Sequence, residues 1–90
     1  MRISGNAGDG IQVSGYARIV NNHIRRNGGR GLVGSSGIVI GNYINGNLGW
    51  GIQASPSMAI SQNVITENTG GSADFYTQFG QNICGGSPCP

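Results

Sequence analysis

A six-residue phrase, Asn-x-Ile-x-x-Asn, returns every 20 or 21 positions along this 90-residue chain. It spans Asn22 to Asn27, then Asn42 to Asn47, then Asn63 to Asn68. A glycine followed by an apolar stretch returns in step, as Gly10-Ile11-Gln12-Val13, Gly31-Leu32-Val33-Gly34 and Gly51-Ile52-Gln53-Ala54. A fixed period of this length marks a solenoid, because one unit cannot bury its apolar face until neighbours stack on it. Backwards, Ile3 and Asn6 take the places of Ile24 and Asn27, so Met1 falls in mid-repeat. Forwards, Asn82-Ile83-Cys84 is a degraded fourth copy.

Each period divides into three short extended stretches separated by turns. In the first copy these are Gly10–Val13, Ala17–Val20 and His23–Arg26. Alternation puts Ile11, Val13, Ile19 and Ile24 on one face and Gln12, Arg18, His23 and Arg25 on the other. The inward equivalents are Leu32, Val39 and Ile44, then Ile52, Ala54, Ile60 and Ile65. Eighteen glycines against two leucines, with 9% charged residues, argue against a helical protein and suit a chain of tight turns. A leucine-rich repeat lacks its leucine skeleton here. An ice-binding ladder is unsupported, since the threonines are only Thr66, Thr69 and Thr77.

Three strands per turn, with the same residue type returning once a turn, describe a coil of parallel strands. From Ile3 to Cys84 the pattern resembles the right-handed parallel β-helix repeat family, the architecture of the pectate-lyase-like superfamily. The expected fold is therefore all-β: a right-handed parallel β-helix of about three complete rungs with ragged ends. Residues 1–71 are read as rungs, the first partial. Residues 72–90 are read as a degraded fourth rung and a C-terminal cap built on Phe75, Tyr76, Phe79 and a Cys84–Cys89 loop. At one rung spacing, about 4.8 Å, Asn22, Asn42 and Asn63 can join their side-chain amides in a ladder. Asn27, Asn47 and Asn68 form a second ladder or cap turns. The resemblance implies such asparagine ladders at a turn.

The same resemblance implies a substrate groove along the first strand of each turn and the loop before it. Stacking the repeats puts Asp9, Arg30 and Trp50 in one column before that strand, with Gln12, Val33, Gln53 and Asp74 in the next. Asp9, Gln12, Arg30, Trp50 and Gln53 are thus the ligand-binding candidates, Trp50 as a sugar platform and Arg30 as a carboxylate holder. The competing reading pairs Asp9 with Arg30 and stacks Arg30 on Trp50 as surface structure. No catalytic residue is assigned. Glycosidase chemistry needs carboxyls about 5–9.5 Å apart, whereas Asp9 and Asp74 lie three rungs apart, about 14 Å. The family's calcium-binding aspartate clusters and its Asn-Thr-Asp, Asp-Asp and Gly-His-Gly motifs are missing. His23, one rung from Tyr43, reads as half of a surface ring pair rather than a base or metal ligand.

Val20, Ile38 and Ile40 fall on the outward side of the second strand, beside Ala59. They are interface candidates, with a one-residue register slip as the competing explanation. All five cationic residues are arginines. Residues 1–30 hold all five against Asp9, a balance of +4, while residues 31–90 hold Glu67 and Asp74, a balance of −2. The basic end suits an acidic polysaccharide, with nucleic acid the lesser alternative. No cofactor, metal or membrane partner is expected. Two cysteines in Cys-Gly-Gly-Ser-Pro-Cys-Pro make a poor zinc site and read as a short disulfide loop, Cys84 to Cys89, which favours an extracellular or periplasmic setting. The N-terminus lacks the layout of a signal peptide. The expected role is a non-enzymatic structural or interaction module with weak glycan binding, assembled as a homo-oligomer, most simply a dimer. The alternative is a fragment or reduced relative of a polysaccharide-processing enzyme (lyase, glycosidase or epimerase).

Overall fold

The structure, a computed structural model, describes residues 2–54, 58–74, 77–78, 81–85 and 87–88. The strands are β1 (Arg2–Ser4), β2 (Ile11–Gln12), β3 (Tyr16–Val20), β4 (His23–Arg25), β5 (Leu32–Gly34), β6 (Ser36–Ile40) and β7 (Tyr43–Asn45). They continue as β8 (Trp50–Ala54), β9 (Met58–Ser61), β10 (Val64–Thr66), β11 (Gly71–Asp74), β12 (Thr77–Gln78), β13 (Ile83–Cys84) and β14 (Ser87–Pro88). Every third strand pairs in parallel with its counterpart one repeat away, which builds three sheets. Sheet A runs β1-β4-β7-β10-β13, with β14 added antiparallel to β13; sheet B runs β2-β5-β8-β11; sheet C runs β3-β6-β9-β12. With the partial repeats at both ends, the described strands coil through about four turns, in keeping with three complete rungs and ragged ends. The partial first repeat supplies a strand to sheet A, and β11 and β12 hold the parallel register on β8 and β9.

The predicted columns stack in register. Ile3, Ile24, Ile44 and Ile65 are successive partners in sheet A. Ile24, Ile44 and Ile65 are fully buried, as are Leu32 and Ile52 in sheet B and Val39 and Ile60 in sheet C. Ile3, Ile11 and Val13 pack against this core but stay partly exposed, because no described rung covers them on one side. Met58 joins the core fully buried, a position not anticipated from the repeat. Its partner in β6 is Gly37. A Cβ at Gly37 would run into the Ala17 carbonyl oxygen, and one at Gly34 would meet the Met58 sulfur. The missing side chain at Gly34 therefore leaves space that the long, flexible Met58 fills, while Gly37 lets the backbone pass close to Ala17.

Two asparagine ladders run the length of the coil. In one, Asn22, Asn42, Asn63 and Asn82 are linked in sequence. In the other, Asn6, Asn27, Asn47 and Asn68 are linked likewise. At each step the backbone N–H and the side-chain Nδ2 of one asparagine both donate to Oδ1 of the next. The remaining Nδ2 protons go to backbone carbonyls, such as Ile19 for Asn42, Val39 for Asn63 and Ile44 for Asn68. Buried amides are tolerated because their capacity is so fully used.

The residues before the ladder asparagines from Asn6 to Asn68 take the left-handed backbone conformation. These residues are Asn21, Gly41 and Gln62 in one corner (φ 57°, 68° and 57°) and Gly5, Arg26, Gly46 and Glu67 in the other (73°, 55°, 69° and 57°). The coil thus turns sharply where three non-glycine side chains besides asparagine must bear the strain.

Candidate functional site

Sheet B carries the anticipated column. Gln12, Val33, Gln53 and Asp74 are successive register partners across β2, β5, β8 and β11. Asp9 and Arg30 lie in the turns leading into β2 and β5, and Trp50 opens β8. Asp9 and Arg30 are brought together by three hydrogen bonds. The Arg30 backbone N–H reaches Asp9 Oδ1 at 2.7 Å, Nε reaches Oδ1 at 3.2 Å and Nη2 reaches Oδ2 at 3.1 Å. The side chains are 36% and 16% exposed for Arg30 and Asp9, so this contact is only partly screened by water. The Arg30 side chain, as hydrogen-bond donor above all, holds the Asp9 carboxyl below its ordinary value, with partial burial opposing.

Arg30 also donates through Nη1 to Gln53 Oε1 at 2.5 Å. Asp9, Arg30 and Gln53 therefore form one polar chain across three rungs. The aliphatic stem of Arg30 covers Gly49, where a Cβ would approach its Cγ to 2.9 Å. The Trp50 indole lies over Gly71 of the next rung, where a Cβ would collide with the ring. Gly71 has φ 129°, and the indole occupies the place of its missing side chain. Gln12 stays exposed. A shallow cavity of about 460 Å³ lies beside it, lined by Gln12, Val13, Ser14, Val33, Gly34 and Ser35. The role of Gln53 as the acceptor for Arg30 was not legible from its outward position alone.

On sheet A, His23 and Tyr43 stack with ring centroids 4.8 Å apart and planes 12° apart. His23 Nε2 lies 3.0 Å from Asn45 Oδ1. On sheet C, Val20 pairs with Ile40 and Arg18 with Ile38, while the intervening Val39 is fully buried. The outward assignment of Val20, Ile38 and Ile40 is thus the correct register. Val20 is 37% exposed, and Ile38 and Ile40 are partly covered. Cys84 is disulfide-bonded. Cys89, and with it Phe75, Tyr76 and Phe79 of the expected cap, lie outside the described residues. Among the described residues no group of three or more His, Cys, Asp or Glu side chains is placed to hold a metal ion, and no helix is long and apolar enough to cross a membrane.

No curated protein and no solved structure matches the chain at a significant level. Residues 1–85 match the family described as right handed beta helix region. With this match over nearly all its length, and with its parallel sheets coiling in step, the chain belongs to the right-handed β-helix family.

Proposed function

We propose that this chain is a non-enzymatic β-helix module with a structural or interaction role. The observation that carries the reading is the Asp9–Arg30–Gln53 chain. The Asp9 carboxylate beside sheet B accepts three hydrogen bonds from Arg30, which favours its charged form and occupies its oxygens. A general acid needs the opposite: a raised pKa and a free approach to the leaving group. Exposed Gln12, the Ser14 and Ser35 turns and the shallow cavity between them suit weak glycan contact through neutral hydrogen-bonding groups. Incubation with a panel of polyuronates, followed by absorbance of unsaturated products and a reducing-end assay, tests this. The expected result is no turnover above a boiled control. Turnover on any member would favour a reduced relative of a polysaccharide-processing enzyme instead.

The outer face of sheet C supports self-association, most simply as a two-fold dimer. Val20, Ile38 and Ile40 make a continuous apolar surface over two rungs, with Arg18 at its rim. Burial of such a surface contributes about 25 cal/mol per Å². Light scattering should give twice the chain mass at micromolar concentration, and Ile40→Asp should return a folded monomer. A wild-type monomer whose mass is unchanged by Ile40→Asp would remove the interface.

A further inference from the structure

The outer face of sheet A takes part in neither the ladders nor the polar chain beside sheet B. Register aligns Arg2, His23, Tyr43, Val64 and Ile83 in one row running along the coil. Ser4, Arg25, Asn45 and Thr66 form the neighbouring row. The chemistry changes along these rows from one end to the other.

The first end is cationic. Arg2, Arg25 and the corner residue Arg26 stand within one rung of each other, and among the described residues none is paired with a carboxylate. Arg25 Nε is buried without an acceptor. Of the acidic groups whose surroundings are described, Asp9 is held by Arg30. Glu67 stands in the corner column of Arg26, two rungs away or about 10 Å. The middle is aromatic. The His23–Tyr43 centroid separation equals one rung spacing, so the ring faces look along the coil and their edges look outward. The far end places two apolar side chains in a polar rim: Val64 is 39% exposed, and a cavity of about 310 Å³ opens beside it, lined by Val64 and Ile83 together with Ser61, Gln62, Asn63 and Gln81.

We propose that this face docks an extended acidic peptide segment of a partner protein, with carboxylates at Arg2, Arg25 and Arg26 and one large apolar side chain in the cavity beside Val64 and Ile83. Arg2 and Ile83 are four rungs apart, about 19 Å, a span of about six extended residues. The motif recognised is therefore a cluster of carboxylates about four to six residues from an aliphatic or aromatic anchor. Guanidinium groups free of carboxylate partners favour such oxygens, and a linear charged segment gains from several at once. Nucleic acid would need outward ring faces on which bases stack, and here the rings present edges. A polysaccharide would leave the cavity beside Val64 without an apolar occupant. This site is separate from the sheet B and sheet C contacts proposed above, and it stands or falls independently of them.

Fluorescence anisotropy with a labelled eight-residue peptide tests it. The peptide carries three carboxylates at one end and one leucine at the other, and is made in both chain directions. Saturable binding is expected for one direction. Arg2→Gln combined with Arg25→Gln should weaken it at least about tenfold, as should Val64→Asp, a loss of roughly 1.4 kcal/mol each. Raising salt should weaken it as well. Arg18→Gln, on sheet C, should leave peptide affinity unchanged in a preparation whose mass by light scattering matches the wild type. All four positions face outward, and matching melting curves establish that each variant folds; if Val64→Asp does not, replacing the peptide's leucine by glycine reads the same contact. Absence of saturable binding would overturn the proposal. So would equal weakening by Arg18→Gln, or indifference to both Val64→Asp and the leucine, which would reduce the face to nonspecific charge. A polyuronate or an oligonucleotide that displaces the peptide and binds more tightly, without sensitivity to Val64→Asp, would overturn it too.

Discussion

Asn42 and Asn63 are joined by two hydrogen bonds that share one acceptor: the backbone N–H and the Nδ2 of Asn42 both donate to Asn63 Oδ1, at 3.0 Å each. Asn63 passes the same arrangement on to Asn82. The ladders are therefore polar, with N–H groups pointing towards later rungs and carbonyl oxygens towards earlier ones. A member in the middle serves as donor and acceptor at once. Asn22, at the start of its ladder, has no donor to its Oδ1 among the described residues.

Position in the ladder should set the cost of breaking it. Asn63→Ala leaves the buried Asn42 backbone N–H without its acceptor, costing about 1–3 kcal/mol, and removes a second bond from the Val39 carbonyl. Asn22→Ala strands no donor and should cost under about half as much. Urea denaturation of the two variants reads the difference, and equal losses would contradict the polar ladder.

Corner strain should be relieved by glycine. Arg26 and Glu67 hold φ near 55–57° in the column where Gly5 and Gly46 stand. An L side chain costs about 1–2 kcal/mol there, offset in part by the larger unfolded-state entropy of glycine. Arg26→Gly and Glu67→Gly should each raise stability by about 0.5–1 kcal/mol, whereas Gly46→Ala should lower it. Thermal melts check both signs, and a loss on Glu67→Gly would mean that its side chain contributes a contact exceeding the strain.

Acid should loosen the Asp9–Arg30 pair. The folded-state pKa of Asp9 is depressed, so the unfolded chain takes up this proton first as pH falls. The stabilisation is fully present above the unfolded value of about 3.9. It declines as pH falls below that value, and is lost once the folded carboxyl is itself protonated. Asp9→Asn should lower stability at pH 7 and flatten the profile in acid. A variant whose melting temperature tracks the wild type at every pH would show that the pair contributes nothing.

The columns of Ile24, Ile44 and Ile65 and of Asn22, Asn42 and Asn63 were legible because a 20- or 21-residue period returns identical residues to one place in each turn. The outward row of Val20, Ile38 and Ile40 followed from alternation alone. Met58 was hidden because its burial depends on a side chain that is absent, at Gly34. The corners at Arg26, Gln62 and Glu67 were hidden for a related reason: the hydrogen bonding of the following asparagine forces a conformation that those side chains do not advertise. In the candidate site, period placed Asp9, Arg30 and Trp50 in line but could not orient them. Arg30 reaches back to Asp9 and forward to Gln53, while Trp50 leans onto Gly71. Those directions depend on which neighbouring positions lack a Cβ, a property of the packed coil.

Arg30→Gln tests most directly whether the polar chain beside sheet B serves the fold or a ligand. It removes the side-chain hydrogen bonds to Asp9 and alters the link to Gln53 while keeping a side chain over Gly49. Melting temperature and binding to a polyuronate should be measured on the same preparation. The account predicts a lower melting temperature and unchanged polyuronate binding. An unchanged melting temperature with polyuronate binding lost would contradict it, because Arg30 would then be held ready for a ligand.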